Sequence, residues 1–156
     1  MRRTKWVLLI LVVVAVVIQF FRPTFTNPPV NPQHTIQASV NVPPNVDTTL
    51  RRACYNCHSS ETRLPWYSKV APVSWLLSSD INDGRQALSF SEFGTYSKKK
   101  EADKLKVLCD EVHGGDMPPT YYLPMHSSAR LTVGDKQALC TWSSGERQRI
   151  LASMHP

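Results

Sequence analysis

The hydrophobic pattern of the chain begins with one unbroken apolar run. From Trp6 to Phe21, sixteen residues carry no charge, and Arg2, Arg3 and Lys5 precede them. As a helix the run spans roughly 24 Å, a little short of a bilayer core of about 30 Å, so Lys5 and Arg22 must snorkel to the headgroups. Phe20, Phe21, Arg22 and Pro23 follow it where a signal peptidase would need a small-x-small site, which favours an uncleaved anchor over a cleaved signal peptide. Basic residues concentrated before the run place the N-terminus inside and the rest of the chain outside.

The pattern changes at Arg22. Residues 22–45 hold six of the twelve prolines and little that packs, a composition that favours extended geometry reaching on the order of 70 Å. From Asp47 onward no stretch alternates apolar and polar residues as a strand would, and the apolar positions recur at helical spacing. Asp47 is placed to cap a first helix through Leu50 and Ala53. Pro72 suits the first position of a second, "PVSWLLSSDIND", stopped at Gly84. Ser97 caps a third, with Leu105, Leu108, Cys109 and Val112 on one face and Gly114-Gly115 at its end. Thr132-x-x-Asp135 is a capping-box pattern opening a fourth, which carries Leu139, Cys140 and Trp142 inward. The expectation is an all-α chain in three parts: an anchor over residues 1–21, a proline-rich tether over 22–45, and a helical domain over 46–156.

A composition 42% hydrophobic and 19% charged is that of a globular chain. The formal charge of +6 is uneven: Arg2, Arg3, Lys5 and Arg22 flank the anchor, leaving fourteen basic residues against twelve acidic ones. Without a dense basic face the domain is not expected to bind nucleic acid. Irregular stretches at 59–71, 89–96 and 114–131 separate the predicted helices, and loops that long in a small domain usually wrap something. A large apolar cofactor would complete the core.

The residues Cys54-Tyr55-Asn56-Cys57-His58 bear on which cofactor. Structural zinc asks for four ligands in two close pairs, and the remaining cysteines, Cys109 and Cys140, stand thirty-one residues apart. A thioredoxin-like dithiol asks for its first cysteine at a helix N-terminus after a strand, whereas this motif ends a helical pattern. Covalent haem attachment uses all three residues: two thiols add to the two vinyl groups, and the following imidazole meets iron. Such haem is attached outside the cytoplasmic membrane, where the anchor delivers the domain, and the single motif implies one haem.

The iron's other face needs a ligand from far along the chain. In "GGDMPPTYY" Met117 precedes two prolines, which exclude it from the helical region and hold its thioether on a stiff loop. His113, His126, Met125 and Met154 are its rivals, whereas His34 and His155 are not placed to approach the iron. An isolated methionine beside Pro-Pro would more often fill a core gap, but a haem domain reverses that balance. Trp66, Tyr67, Trp75, Phe90 and Phe93 fall where one haem face needs cover, with Trp75 a candidate haem contact. Arg85 and Arg130 are candidate propionate partners. Cys109 and Cys140, on inward faces in an oxidising compartment, are expected to pair.

The helix ending in Cys54 to His58, the Met117-Pro118-Pro119 loop and a closing helix with Leu139 and Trp142 resemble a class I cytochrome c. More narrowly, "RRACYNCHSSETRLPWYSKVAPVSWLL", "GRQALSFSEF" and "GDMPPTYYLPMHSSARL" are similar to a family of small membrane-anchored bacterial haem-binding domain proteins, over about Pro43 to Leu151. The resemblance implies a cytochrome c-like domain wrapped round one covalent haem c, held by Cys54 and Cys57, with His58 proximal and Met117 distal. The expected function is single-electron transfer by a single-pass protein of a bacterial inner membrane, its domain facing the periplasm or outside. The c-type maturation machinery would load it, and an unidentified redox partner protein would exchange electrons with it. The alternative is a haem peroxidase or gas or redox sensor in which Met117 is displaced. No catalytic constellation accompanies the motif.

Overall fold

Because its apolar residues lie on every face, α1 (Arg2–Val17) has no preferred side to bury, and it runs on as a 3₁₀ turn to Phe21 with no residue buried. The computed structural model describes residues 2–154. The twenty residues Arg2–Phe21 form one helix apolar and long enough to cross a membrane, at about 30 Å.

The segment expected to be a tether is partly folded. Asn31 caps a short turn at Pro32–His34 by accepting from the Gln33 amide, and a single helical turn, α2 (Ile36–Ser39), follows. The Ile36 amide donates to the Phe90 carbonyl (2.8 Å), and Ile36 and Val40 are buried in the core beside Leu50, Phe90 and Phe93. Burying a side chain such as Ile36 is worth about 1.5–3 kcal/mol, so this turn belongs to the domain.

Pro44 opens α3 (Pro44–Ala53) at its first position, where a missing N–H costs nothing. Asp47, expected as the cap, instead sits in the first turn and pairs with Arg51 at 2.8 Å. Cys54 ends α3, and a single turn, α4 (Tyr55–His58), continues from it. In α5 (Val73–Ala87) Pro72 is the residue before the first turn, and Gly84 does not stop the helix. A Cβ on Gly84 would lie 2.7 Å from the Cys57 carbonyl oxygen, so glycine is there to let α5 approach the backbone of α4.

Local capping residues fix the last two helices as the sequence indicated. The Ser97 side chain accepts from Lys100 N–H at the start of α6 (Lys98–Gly114), and Gly115, at φ +88°, ends it in the left-handed conformation. Thr132 and Asp135 form the reciprocal capping box of α7 (Val133–Ser153). α6 and α7 pack along each other through Leu105, Leu108, Leu139 and Ile150, and Cys109 and Cys140 are joined as a disulfide with Cα atoms 4.7 Å apart. The Trp142 indole donates to the Asn41 carbonyl (2.8 Å), which ties α7 to the chain entering α3. Among the described residues there is no strand.

Candidate functional site

The break between α3 and α4 presents the sequence motif to a cleft. Cys57 and His58 both donate their amides to the Cys54 carbonyl (3.1 and 2.9 Å), and this tight turn sends Cys54, Cys57 and His58 into one lining. Burial pushes the Cys54 thiol up to about 12 and the Cys57 thiol up to about 11. Both are therefore protonated at neutral pH, unlike the thiolates of a redox dithiol or a nucleophilic cysteine.

His58 is oriented from two sides. Its Nδ1 lies 3.0 Å from the Leu88 carbonyl, an acceptor only, so Nδ1 carries the proton and Nε2 is left with a free lone pair. The Phe90 amide donates to the His58 carbonyl (2.7 Å), and the two rings pack with centroids 6.0 Å apart. Burial lowers the imidazole pKa, which keeps the ring neutral and its Nε2 available to a metal.

Across the cleft, the end of α6 and the loop after it form the second wall. The Gly115, Asp116 and Met117 amides all donate to the Glu111 carbonyl (3.1, 3.1 and 3.3 Å), which folds the chain back so that Met117, Pro118 and Pro119 face the motif. Gly84 and Ala87 of α5 supply a small-residue third wall, with Asp80 and Asp83 on its rim. The cleft has two adjoining lobes of about 210 and 220 Å³, and Cys54, His58, Ala87, Val112 and Met117 line both. Two thiols, an imidazole with its outer nitrogen free and a thioether, on mostly apolar walls, form a donor set suited to a porphyrin iron.

Several expected contacts lie elsewhere. Arg85 donates through Nε to the Ser59 carbonyl (2.8 Å), through Nη1 to Thr26 (3.1 Å) and through Nη2 to Asn27 and Thr62 (2.8 and 3.0 Å), so it fastens two loops outside the cleft. Arg130 is exposed, and its carbonyl accepts from Arg52. Trp75 is directed to the end of the apolar helix, where its indole donates to the Phe21 carbonyl (2.8 Å). None of the three lines the cleft; the cation in its lining is Lys104, in the second lobe. Of the rivals to Met117, His126 is held by the Tyr67 hydroxyl (2.9 Å from Nε2) and stacked on Tyr122 at 3.7 Å. His113 and Met125 are exposed, Met154 closes α7, and His155 lies outside the described residues.

The cleft also gathers residues that no motif advertised. The Tyr121 hydroxyl donates to Asp80 (3.0 Å), whose carboxyl is pushed up by burial despite that bond. Asn56, inside the motif, donates to the Tyr122 hydroxyl (3.0 Å), tying the motif to the Met117 loop. Cys109 and Cys140 are bonded to each other and cannot join Cys54 and Cys57 around a metal ion.

A family model described as a haem-binding domain matches residues 13–145, most of the chain. No curated protein and no solved structure matches it.

Proposed function

Because the chain belongs to the haem-binding domain family, we propose that the cleft holds one haem c, bonded through Cys54 and Cys57 and ligated by His58 and Met117, and that the protein is a membrane-anchored single-electron carrier. The observation that carries this reading is the meeting of Cys54, Cys57, His58 and Met117 in one lining, with His58 Nε2 free because Nδ1 is committed to Leu88.

A bound haem supplies a one-electron couple, and a histidine–methionine pair of ligands raises its potential. The Leu88 carbonyl fixes the tautomer and direction of His58. The amides gathered on Glu111 hold the Met117 loop, which reduces the entropy lost when its thioether engages. Val112 and Pro118, both buried, would shield the centre from water, and Lys104 in the lining would offer a bound haem's propionates a cation. α1 is the anchor, with Arg2, Arg3 and Lys5 on the inner side of a bacterial inner membrane and the haem domain outside. Loading depends on c-type maturation machinery, and electrons pass to and from a redox partner protein.

Thioether bonds survive denaturation. Acid–acetone extraction of the holoprotein should leave haem with the polypeptide, and haem leaving with the solvent would overturn the covalent assignment.

A further inference from the structure

Beyond α1 the chain does not swing free of the domain. Gln19, in the last turn of the apolar helix, donates to the Ala71 carbonyl (3.1 Å) and accepts from the Ala71 amide (3.0 Å). Arg22 donates to the Lys69 carbonyl, and the Trp75 indole donates to the Phe21 carbonyl (2.8 Å). Three residues at one end of α1 thus clamp the stretch 69–75 at the level where the helix would leave a bilayer.

The clamped stretch, the residues flanking it and the end of the apolar helix carry large exposed apolar side chains. Trp66 is 74% exposed, Leu76 51% and Phe20 82%, and Phe21, Val73 and Trp75 are exposed beside them. Leu64 shares one shallow groove with Phe20, Phe25, Arg22 and Lys69. Aromatic and aliphatic groups interleaved with cations are the composition of a headgroup-level belt, where an indole is wet at one end and apolar at the other. An isolated soluble domain seldom leaves so much apolar surface bare.

We infer that the face formed by Phe20, Phe21, Trp66, Val73, Trp75 and Leu76 seats the domain on the outer-leaflet headgroup region of the bilayer that α1 spans. The inference rests on the anchor reading of α1. The occupant is lipid because the face is continuous with the end of that helix and bonded to it through Gln19, Arg22 and Trp75.

The seating fixes the height of the cleft. α5 begins in the face, at Val73 and Leu76, and lines the cleft from Asp80 to Ala87. At 1.5 Å per residue the cleft wall starts about 6 Å along the axis from Leu76 and ends about 16 Å from it. A redox partner then meets the domain at the membrane surface and not at the end of a long tether.

The test uses the full haem-loaded chain in vesicles of phosphatidylethanolamine and phosphatidylglycerol. A benzophenone-bearing phenylalanine replaces, one position at a time, Leu11 in α1, Trp66, Leu76, or Thr141 on the exposed side of α7, and products of irradiation are identified by mass. Lipid adducts at Trp66 and Leu76 comparable with those at Leu11, and absent at Thr141, are expected. Adducts at Leu11 alone would overturn the docking while leaving the anchor in place. Crosslinked dimers of the chain through Trp66 or Leu76, without lipid, would assign the face to a second copy and also overturn it. Absence of lipid at Leu11 would overturn the anchor reading beneath the inference.

Discussion

The α6–α7 layer and the cleft side of the domain are closed by different means. α6 and α7 are bounded by their own caps, at Ser97, Gly115 and the Thr132–Asp135 box, filled by Leu105, Leu108, Leu139 and Ile150, and bridged by Cys109–Cys140. In the stretch 54–91 neither α4 nor α5 has a side-chain cap. Its irregular parts are held by single side chains, over long range by Arg85 to the Thr26 and Ser59 carbonyls, and within the 56–63 turn by Thr62 donating to the Asn56 carbonyl (2.7 Å) and Asn56 accepting from the Arg63 amide (3.1 Å). The two regions share one apolar core, in which Tyr55, Leu88 and Phe90 join Leu105 and Leu139, so what separates them is how their ends and loops are fixed.

The sharpest break in that comparison comes from removing the two thiols proposed to hold the haem. Cys54→Ala with Cys57→Ala should prevent stable haem loading. Amide hydrogen exchange should then rise steeply in 54–58 and 117–122 while α6 and α7 keep most of their protection. Equal loss in both regions would mean that the domain opens as one unit. The converse experiment is Cys109→Ala with Cys140→Ala, which releases a 31-residue separation and should cost about 3–4 kcal/mol in denaturant melts, with the haem spectrum unchanged.

A smaller effect separates two glycines. Gly84→Ala places a methyl 2.7 Å from the Cys57 carbonyl and should destabilise the holoprotein by about 1–3 kcal/mol, shifting the haem spectrum. Gly145→Ala, with nothing within 4 Å in the middle of α7, should stabilise by about 0.5–1 kcal/mol. If the two substitutions behave alike, close approach at Gly84 is not what demands glycine.

The smallest effect concerns pH. The Thr132 amide, then Arg52 (2.6 Å) and the Thr132 hydroxyl, hold the Asp135 carboxyl well below the usual carboxylate range. Its folded pKa is depressed, so its contribution is complete above the unfolded value of about 3.9 and is lost as pH falls through the folded one. Asp135→Asn should cost about 1 kcal/mol at neutral pH, and melting curves of variant and parent should converge under strong acid.

What the sequence made legible was local. Ser97, Gly115 and the Thr132–Asp135 box act within one turn of their own positions, and their residue types announce them. The Cys54–His58 spacing is likewise a local signal, and the Pro-Pro pair marks Met117. What was not legible depends on partners distant in sequence. Gly84 reads locally as a helix stop, but its reason is Cys57, twenty-seven residues back. Ile36 and Val40 are two apolar residues among prolines, too few for a periodic pattern, and only core residues distant in sequence, such as Phe90 and Phe93, explain their burial. Arg85 looked available for a propionate because nothing nearby in sequence reveals the carbonyls of Thr26 and Ser59 that occupy it. Lys104 and the Asp80–Tyr121 pair belong to no motif and reach the cleft only through the packing of α5, α6 and the loop after Gly115.

The most direct test of the proposed site is the oxidised optical spectrum of Met117→Ala beside that of Met125→Ala. Met117 lines both lobes of the cleft, and Met125 is 61% exposed outside it. The account expects Met117→Ala alone to abolish the methionine-to-iron charge-transfer band, lower the reduction potential and open the iron to added ligands. A band and potential unchanged in Met117→Ala but lost in Met125→Ala would contradict it.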